Sequence, residues 1–531
     1  MEADYSKVWE SVRRFWDYPR INSPELLDKS QAAEKGMEKE IAAIRMDNSQ
    51  IMVNMPNLKQ RVGLEHLARV ESHEVGHYKY IPYDLKNFVR LVGYADTVTR
   101  NMKMAQHIQN LYTDLCVNTK SYKKGDKGMI ELYRKLSKGN NSEAWQAYMA
   151  TFENMMGCPG TIIPTPNDKI MQDAKKLAEI VGNAMDSSSK WPDSIKEFAK
   201  IMKQYLEEEK EQNNNNGNGQ TDTEKGLIDR HNAKDFMPCD PDKTQKDVLR
   251  KIVEKELKGL AKELGQKEFK RVLSGLGIAT PKKANLMYYR QLASEYSLFM
   301  PKVPSQNSGN FKNIPKRWTI DEPFDQLDIE YTLRQSPIII PNATTYQWET
   351  ANGNSFASGR GTPDLLIAID SSGSMPDPNE EISFPVLSAM IASRAALNAG
   401  NRVAVVNFSH DYAYCEFTNQ SQEIDETLIH YFEQNTEIPG ETMAELASKN
   451  TCPVHALIIS DTEIENLQKQ KSNLEKTLRS SKAGGSIFLN CEPSKHTKLL
   501  ENMGYSVKFA RDFEDIGRLT LEKSRELYKN A

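Results

Sequence analysis

The feature that constrains the fold most is a regular pattern after residue 361, where short apolar segments alternate with longer amphipathic ones. The short segments are rich in β-branched residues: LLIAI at 365–369, VAVVNF at 403–408, HALIIS at 455–460, SIFLN at 486–490 and SVKFA at 506–510. Runs of this kind predict strands that are buried on both faces of a parallel sheet. Residues 361–531 are therefore predicted to form an α/β doubly wound, Rossmann-like domain, and such sheets bind ligands at the carboxyl ends of their strands.

A cluster of hydroxyl and carboxylate groups follows the first of these strands. Asp370, Ser372 and Ser374 alternate along a Gly-assisted turn, so they can point the same way and offer hard oxygen ligands of the kind that Mg²⁺ prefers. Thr442 and Asp461 stand where the same sheet would present two further oxygen groups. Taken alone, the pentapeptide is equally typical of a turn whose Ser and Asp cap the next helix.

This set resembles the metal-ion-dependent adhesion site of von Willebrand factor A (VWA) domains, over residues 361–531. The resemblance implies that both serines and Thr442 contact Mg²⁺, that Asp370 and Asp461 bind it mainly through water, and that one position stays open for a carboxylate of a partner protein. The family's usual Gly-Gly-Thr is here Gly440-Glu441-Thr442, and Thr436 lies nearby. Asp461 can also cap the helix that follows it.

A second motif, His73-Glu74-Val75-Gly76-His77, lies within a helical pattern at 63–80. Two histidines four residues apart share one helix face, so both can reach one Zn²⁺, and Glu74 beside them can take a proton from water that the metal activates. The alternative is a helix whose two histidines face solvent or a polar core. Gly76 is unfavourable within a helix and indicates a packing or functional reason.

A catalytic zinc needs a third protein ligand, and a later helix at 105–118 offers His107 or Asp114, seven residues apart on roughly one face. The context of Asp114 resembles predicted HExxH metallopeptidases fused to a C-terminal VWA domain, in which an acidic residue on a later helix completes the site. That resemblance spans most of the chain and favours Asp114. His66 is interpreted as structural.

The same resemblance organises the rest of the chain. We expect a mostly α, zincin-like metallopeptidase domain at 1–206, a disordered polar linker at 207–240, a helical and β connecting segment at 241–360, and the VWA domain at 361–531. Lys316-Arg317-Trp318 and the acidic residues after them are similar to the segment that leads into VWA domains associated with MoxR-type AAA+ ATPases. This similarity implies such an ATPase, or another protein with an acidic side chain, as a partner.

Composition narrows the class of protein. Among 531 residues, 69 Lys and Arg balance 73 Asp and Glu, and this balance argues against a dedicated nucleic-acid binder. No apolar run approaches the roughly 18–20 residues of a membrane helix, and the start shows no signal-peptide pattern. Six cysteines without a CxxC pair fit reduced thiols, so we expect a cytoplasmic protein.

The sequence thus predicts a zinc-dependent metallopeptidase-like protein with Glu74 as general base, acting on a protein or peptide. Its VWA domain would bind Mg²⁺ and recognise the AAA+ partner. The alternative is a non-catalytic VWA adaptor of a MoxR-type or chelatase-type AAA+ ATPase, in which any zinc is structural.

Overall fold

In a computed structural model of the protein, the structure describes residues 5–215, 221–228, 231–242, 244–297, 311–319, 322, 326–335, 339–351, 362–460 and 464–528. The chain divides into two compact units. The first comprises Met1–Leu292 with Asn379–Glu381, and the second Ala293–Pro378 with Ile382–Ala531.

The first unit is mostly helical. Its helices, the last of which continues into the second unit, are α1 (Tyr5–Phe15), α2 (Lys29–Glu34), α3 (Met55–Arg61), α4 (Leu67–Lys79), α5 (Leu85–Thr99), α6 (Met102–Lys124), α7 (Met129–Leu136), α8 (Glu143–Met156), α9 (Asp168–Gly182), α10 (Trp191–Asn215), α11 (Asp222–Gly226), α12 (Lys246–Glu256), α13 (Leu260–Leu264), α14 (Gln266–Gly275) and α15 (Pro281–Ser297). Short 3₁₀ turns cover Leu64–His66 and Ala233–Phe236. Helix α6 packs against α4, α5 and α8, so it is a central element of this unit.

A small sheet lies in the same unit. Its strands β1 (Glu25–Leu27), β2 (Ala42–Arg45) and β3 (Gln50–Asn54) have the order β1-β3-β2, with β2 antiparallel to β3 at one edge. The apolar spacing in residues 38–46 predicts a helix, and this prediction is wrong. Four consecutive residues, 41–44, are buried, as in a strand covered on both faces, whereas a helix would leave one of its sides outside.

The segment predicted to be a disordered linker is ordered where the structure describes it. Helix α10 continues to Asn215, and α11 follows at Asp222–Gly226. Beyond α11, Leu227, Ile228 and Phe236 are at most 2% exposed. These apolar side chains give the segment a reason to pack that its Asn-rich beginning does not provide.

The second unit holds a six-stranded mixed sheet. Strands β4 (Phe311–Arg317) and β5 (Tyr346–Ala351) form a separate antiparallel pair, and the sheet consists of β6 (Asp364–Asp370), β7 (Val403–Phe408), β8 (Tyr412–Thr418), β9 (Val454–Ser460), β10 (Lys482–Leu489) and β11 (Ser506–Phe509). The order is β11-β10-β9-β6-β7-β8, parallel except for β8. The predicted α/β domain and its five parallel strands are confirmed; β8 is an additional edge strand.

Helices cover both faces of this sheet, as a doubly wound arrangement requires. The helices of the unit are α16 (Ile329–Gln335), α17 (Phe384–Asn398), α18 (Ser421–Leu428), α19 (Gly440–Lys449), α20 (Leu467–Ser481), α21 (Lys495–Asn502) and α22 (Phe513–Tyr528). Leu366 and Ala368 of β6 belong to a core that includes residues of α19 and α20. Helices α17 and α22 pack against each other and against the sheet. Within the described parts of the chain, no helix is long and apolar enough to cross a membrane.

A buried histidine in β9 makes the stability of this unit depend on pH. The Nδ1 of His455 lies 3.0 Å from the Ala483 carbonyl oxygen and its Nε2 lies 3.1 Å from Ser486 Oγ, so the neutral ring is satisfied at both nitrogens. Burial lowers the pKa of His455 from 6.5 to about 4. Between these two pKa values, His455 binds a proton in the unfolded chain but not in the folded chain. Its contribution to the free energy of unfolding is therefore fully present above pH 6.5 and is lost as the pH falls.

We therefore expect the free energy of unfolding to fall by about 3 kcal/mol between pH 7 and pH 4 through this residue alone. Denaturant unfolding of the full chain at pH 7, 5 and 4 measures the fall, and His455→Gln should lack that part of it. His410→Gln is the control, because the His410 side chain is 62% exposed. An equal acid loss in the wild type and in His455→Gln would contradict the assignment.

Candidate metal centres

Helix α4 brings the two histidines of the HExxH motif together inside the first unit. His73 and His77 are at most 1% exposed, and their Nε2 atoms lie 3.1 Å apart. The spacing of four residues explains this, because such residues are neighbours along one face of a helix.

Asp114 of α6 completes the group. Its Oδ1 lies 3.3 Å from the Nε2 of His77 and 3.8 Å from the Nε2 of His73. One ligand atom of each of the three side chains lies within 4.8 Å of the others, and all three side chains are buried. Two imidazoles and one carboxylate are a donor set that is typical of catalytic zinc sites.

The opposite ring nitrogens orient the histidines. The Nδ1 of His77 lies 2.8 Å from the Ile81 carbonyl oxygen, which can only accept, so this nitrogen carries the proton. The Nδ1 of His73 lies 2.8 Å from Asn118 Oδ1, and the Asn118 amide donates to the Tyr133 hydroxyl at 2.6 Å. Neutral rings held in this way direct the Nε2 lone pairs towards Asp114, as second-shell partners of metal-binding histidines do.

The Asp114 carboxylate tests whether a cation fits here. It is 0% exposed, and neither of its oxygens has a hydrogen-bond partner among the described residues. A buried carboxylate of this kind is costly unless positive charge compensates it. The two Nε2 lone pairs that converge on the same place require the same compensation. The residues therefore fit a divalent cation.

Gly76 explains how α4 and α6 come close enough to form the group. A Cβ atom at Gly76 would lie 2.3 Å from Cγ1 of Val117, far inside contact distance. Val117 lies between Asp114 and Asn118 along α6, so a wider spacing here would withdraw both side chains from the histidines. The unfavourable helical glycine that the sequence shows thus has a packing reason.

Replacement of Gly76 by Ala should therefore destabilise the protein although alanine favours helices. We expect a loss of about 1–3 kcal/mol from overpacking, offset in part by roughly 1 kcal/mol of helix propensity, together with weaker zinc binding. The double variant Gly76→Ala/Val117→Ala should regain zinc binding, because it removes the clashing methyl group. Thermal unfolding and competition with a chelator measure both effects; a double variant that binds zinc no better than Gly76→Ala would contradict this account.

Glu74 stands next to the ligands without belonging to the three-residue group. It is 0% exposed and follows His73 directly on α4. One turn earlier, Glu71 is 1% exposed, and burial raises its pKa to about 8. The site thus combines a three-ligand group with a buried carboxylate beside it.

The other histidines considered in the sequence lie elsewhere. The Nε2 of His107 is 3.1 Å from Thr223 Oγ1, and that hydroxyl donates to Glu209 at 2.6 Å. His107 therefore belongs to a polar network that holds α11, and it is not part of the three-residue group. His66 is 2% exposed, and burial lowers its pKa.

A residue that sequence reasoning missed lies against the group. The ring of His231 is perpendicular to that of His77, with centroids 4.4 Å apart and an interplanar angle of 79°. The main-chain N–H of His231 donates to Asn110 Oδ1 at 3.3 Å. Asn110, Asp114 and Asn118 are spaced by four along α6, and this polar stripe on a buried helix is the signal that could have drawn attention to a partner segment.

In the second unit, the predicted magnesium ligands are partly assembled at the carboxyl end of β6. Asp370 is 2% exposed; its Oδ1 accepts from the N–H of Ser372 at 2.9 Å, and its Oδ2 accepts from Ser460 Oγ at 2.5 Å. The hydroxyl oxygens of Ser372 and Ser374 lie 3.2 Å apart. Three of the predicted oxygen groups therefore share one turn.

The remaining two predicted ligands, Thr442 and Asp461, are not part of the turn after β6. Thr442 lies in the first turn of α19, and its hydroxyl donates to Tyr412 at 3.3 Å. Thr436 is 5% exposed and lies in the loop before α19. This loop is bonded to the turn after β6, because the Glu433 N–H donates to the Ser371 carbonyl oxygen at 3.1 Å. Asp461 lies outside the described residues.

Comparison with known proteins finds similarity among solved structures. No model of a known protein family matches the chain, and no curated protein matches it. Among solved structures, the chain is similar to a protein described as von Willebrand factor type A from Catenulispora acidiphila, with 17% identity and a TM-score of 0.25. The match covers 31% of this chain and 42% of that one, so the chain spans less than half of that structure.

Proposed function

We propose that the protein is a zinc-dependent peptidase whose second unit is a VWA-type, Mg²⁺-dependent recognition domain. The observation that carries the proposal is the convergence of His73, His77 and Asp114 in a buried group, with Glu74 next to it on the same helix. A bound zinc ion supplies Lewis-acid chemistry, since it acidifies water and polarises a carbonyl group.

The residues of the chain have separate tasks in this proposal. His73 and His77 are oriented by Asn118 and by the Ile81 carbonyl, so their Nε2 atoms stay directed at the metal. Asp114 contributes the negative charge. Glu74 accepts the proton that the attacking water gives up and returns it to the leaving amine.

Metal analysis tests the first half. The full chain, purified without chelator, should hold one zinc per chain, and treatment with 1,10-phenanthroline should stop its hydrolysis of an unfolded protein such as casein. Added zinc should restore hydrolysis. A chain that holds no zinc and is indifferent to the chelator would refute the proposal.

The second unit is proposed to bind Mg²⁺ through Asp370, Ser372, Ser374, Thr442 and Asp461 and to recognise an acidic side chain of a MoxR-type AAA+ ATPase. The support is the turn after β6, where three of these oxygen groups lie together. An ATPase of this class would present substrates to the peptidase or switch its activity.

Asp370→Asn should abolish Mg²⁺-dependent binding of such an ATPase without unfolding the domain. The amide oxygen can still accept from the Ser372 N–H, whereas the negative charge that attracts the cation is lost. Pull-down in Mg²⁺ and in EDTA measures binding. Glu437→Gln is the control, because the Glu437 side chain is exposed. Asp425→Asn would not serve as a control, because Asp425 is buried and forms an ion pair with Arg394. Undiminished capture by Asp370→Asn would contradict the proposed site.

One observation favours a second candidate, a non-catalytic adaptor with a structural metal. All three ligands are at most 1% exposed, so neither solvent nor a substrate reaches them in this structure, which a structural metal would permit. The two candidates differ in whether Glu74 has a chemical task. A peptidase needs Glu74 for hydrolysis, whereas a structural metal would stabilise the fold without hydrolysis of any substrate.

A further inference from the structure

The metal group is closed off in a way that the proposed activity must overcome. His73, Glu74, His77 and Asp114 are each at most 1% exposed. A protein substrate has to bring a peptide bond to these side chains, so some part of the first unit must move aside.

The part that lies over the group is a short segment after α11, His231–Met237, which we call the strap. Its first residue places an imidazole against the ring of His77, and that imidazole also contacts Phe236 with ring centroids 5.0 Å apart. The ring of His231 thus contacts both the metal group and the strap's own aromatic residue.

The strap has an inner and an outer side. His231, Ala233 and Asp235 are buried, whereas the intervening Asn232 and Lys234 are exposed. The inner side of the strap therefore faces the protein and its outer side faces solvent. Removal of the strap would expose the side of the metal group that His231 covers.

Contacts with α5, with α6 and with the segment around β2 hold the strap in place. The main-chain N–H of His231 donates to the Asn110 amide oxygen. The Met46 N–H donates to the Asp235 carbonyl oxygen at 2.9 Å. Phe236 stacks on Phe88 with ring centroids 4.9 Å apart. Upstream, the Ile228 carbonyl accepts from the Ile41 N–H at 2.8 Å. Met46 and Ile41 flank the edge strand β2.

Between these two flanking bonds, Ala43 and Ile44 of the strand are at most 8% exposed, and β2 contacts the 3₁₀ turn of the strap. Within the described part of the chain, the main chain of residues 43–45 bonds only to β3. Displacement of the strap would uncover this edge, and an uncovered edge can accept an extended peptide as an additional strand. Such a peptide, paired with β2, would compete with the strap for the space beside the metal group.

We propose that the strap is a built-in plug of the metal centre: it holds His231 over His77 and keeps the site closed until an extended substrate or a partner displaces it. The inference rests on the proposed function, because it concerns access to that same site. It predicts a latent peptidase that becomes active when the strap is loosened.

The test compares the full, zinc-loaded wild type with two loosened variants, His231→Ala and Phe236→Leu. The measurement is the rate at which zinc passes to a chelator, followed by the rate of casein hydrolysis. Zinc transfer should become about tenfold faster or more, because a factor of ten needs only about 1.4 kcal/mol in the opening equilibrium and a truncated buried ring costs at least that. Casein hydrolysis should rise in both variants.

The matched control is Lys234→Ala, on the outer side of the same strap, which should leave both rates unchanged. Unchanged zinc transfer in both loosened variants, or hydrolysis that falls in both, would overturn the plug and make His231 a working part of the site. The zinc content of the wild type is measured first, because it separates a failure of the proposed function from a failure of the plug. A chain without zinc refutes the proposed function and the plug with it, whereas a zinc-loaded chain with unchanged rates refutes the plug alone.

Discussion

Glu74→Gln is expected to lower the turnover of an unfolded-protein substrate by about 10²–10⁴-fold while the chain keeps its zinc. Glu74 adjoins His73 on α4 and is fully buried, but it is outside the three-residue ligand group. Glutamine preserves its size and removes its basicity. The loss should therefore appear in kcat, and the zinc content should stay at one per chain.

Glu71→Gln is the matched control for this variant. Glu71 is also a buried carboxyl on α4, one turn before Glu74, and burial raises its pKa to about 8. At pH 7 it is mostly the neutral acid, which glutamine imitates. Its replacement should leave turnover close to that of the wild type.

The pair of variants decides between the two candidate functions. Equal activity of Glu74→Gln and the wild type would remove Glu74 from the chemistry and would leave a structural metal as the better account. Loss of zinc from Glu74→Gln would show that the residue supports the ligands instead of moving a proton.

The helix of the first site could be predicted because its chemistry is local. A spacing of four residues places His73 and His77 on one face wherever a helix forms, and the sequence from 63 to 80 favours a helix. Asp114 was one of two candidates on its helix. The two residues share one face of α6 but lie two turns apart, so the choice is decided by which part of α6 lies opposite α4, and a single sequence does not give that position.

His231 could not be predicted in the same way. It is separated from His77 by 154 residues, as the two numbers show, and no motif surrounds it. Its position depends on an apolar segment, with Ile228 and Phe236 as anchors, that follows an Asn-rich stretch typical of disorder. The long-range contact is a property of packing and not of local pattern.

Among the strands, too, some could be predicted from the local pattern and others depended on packing. The parallel strands of the second unit were evident from their continuous apolar runs, whereas β8 was missed because its exposed side carries Tyr412, Tyr414 and Glu416. For strand β2, the short spacing of Ile and Ala fits the helical period as well as the strand period, so the sequence alone predicts the wrong element. In each case, burial on one face or on two decided the structure.

Asp114→Ala is expected to have the largest effect on metal binding. The loss of an outer-shell partner typically costs 10–100-fold in affinity, and the loss of a ligand that also carries the charge should cost more, on the order of 10³-fold. Competition with a chelator of known affinity measures this change. His107→Ala is the control, because His107 bonds to Thr223 instead of the metal group.

The same variant should separate metal binding from folding. Zinc that binds only the folded chain raises its stability by RT ln(1 + [Zn]/Kd), so the wild type should gain in melting temperature as zinc is added and Asp114→Ala should not. Without metal, the variant should be as stable as the wild type or more so, because it no longer buries a carboxylate whose oxygens have no hydrogen-bond partner among the described residues. A zinc-dependent rise in melting temperature that persists in Asp114→Ala but disappears in His107→Ala would assign the third ligand to His107 instead.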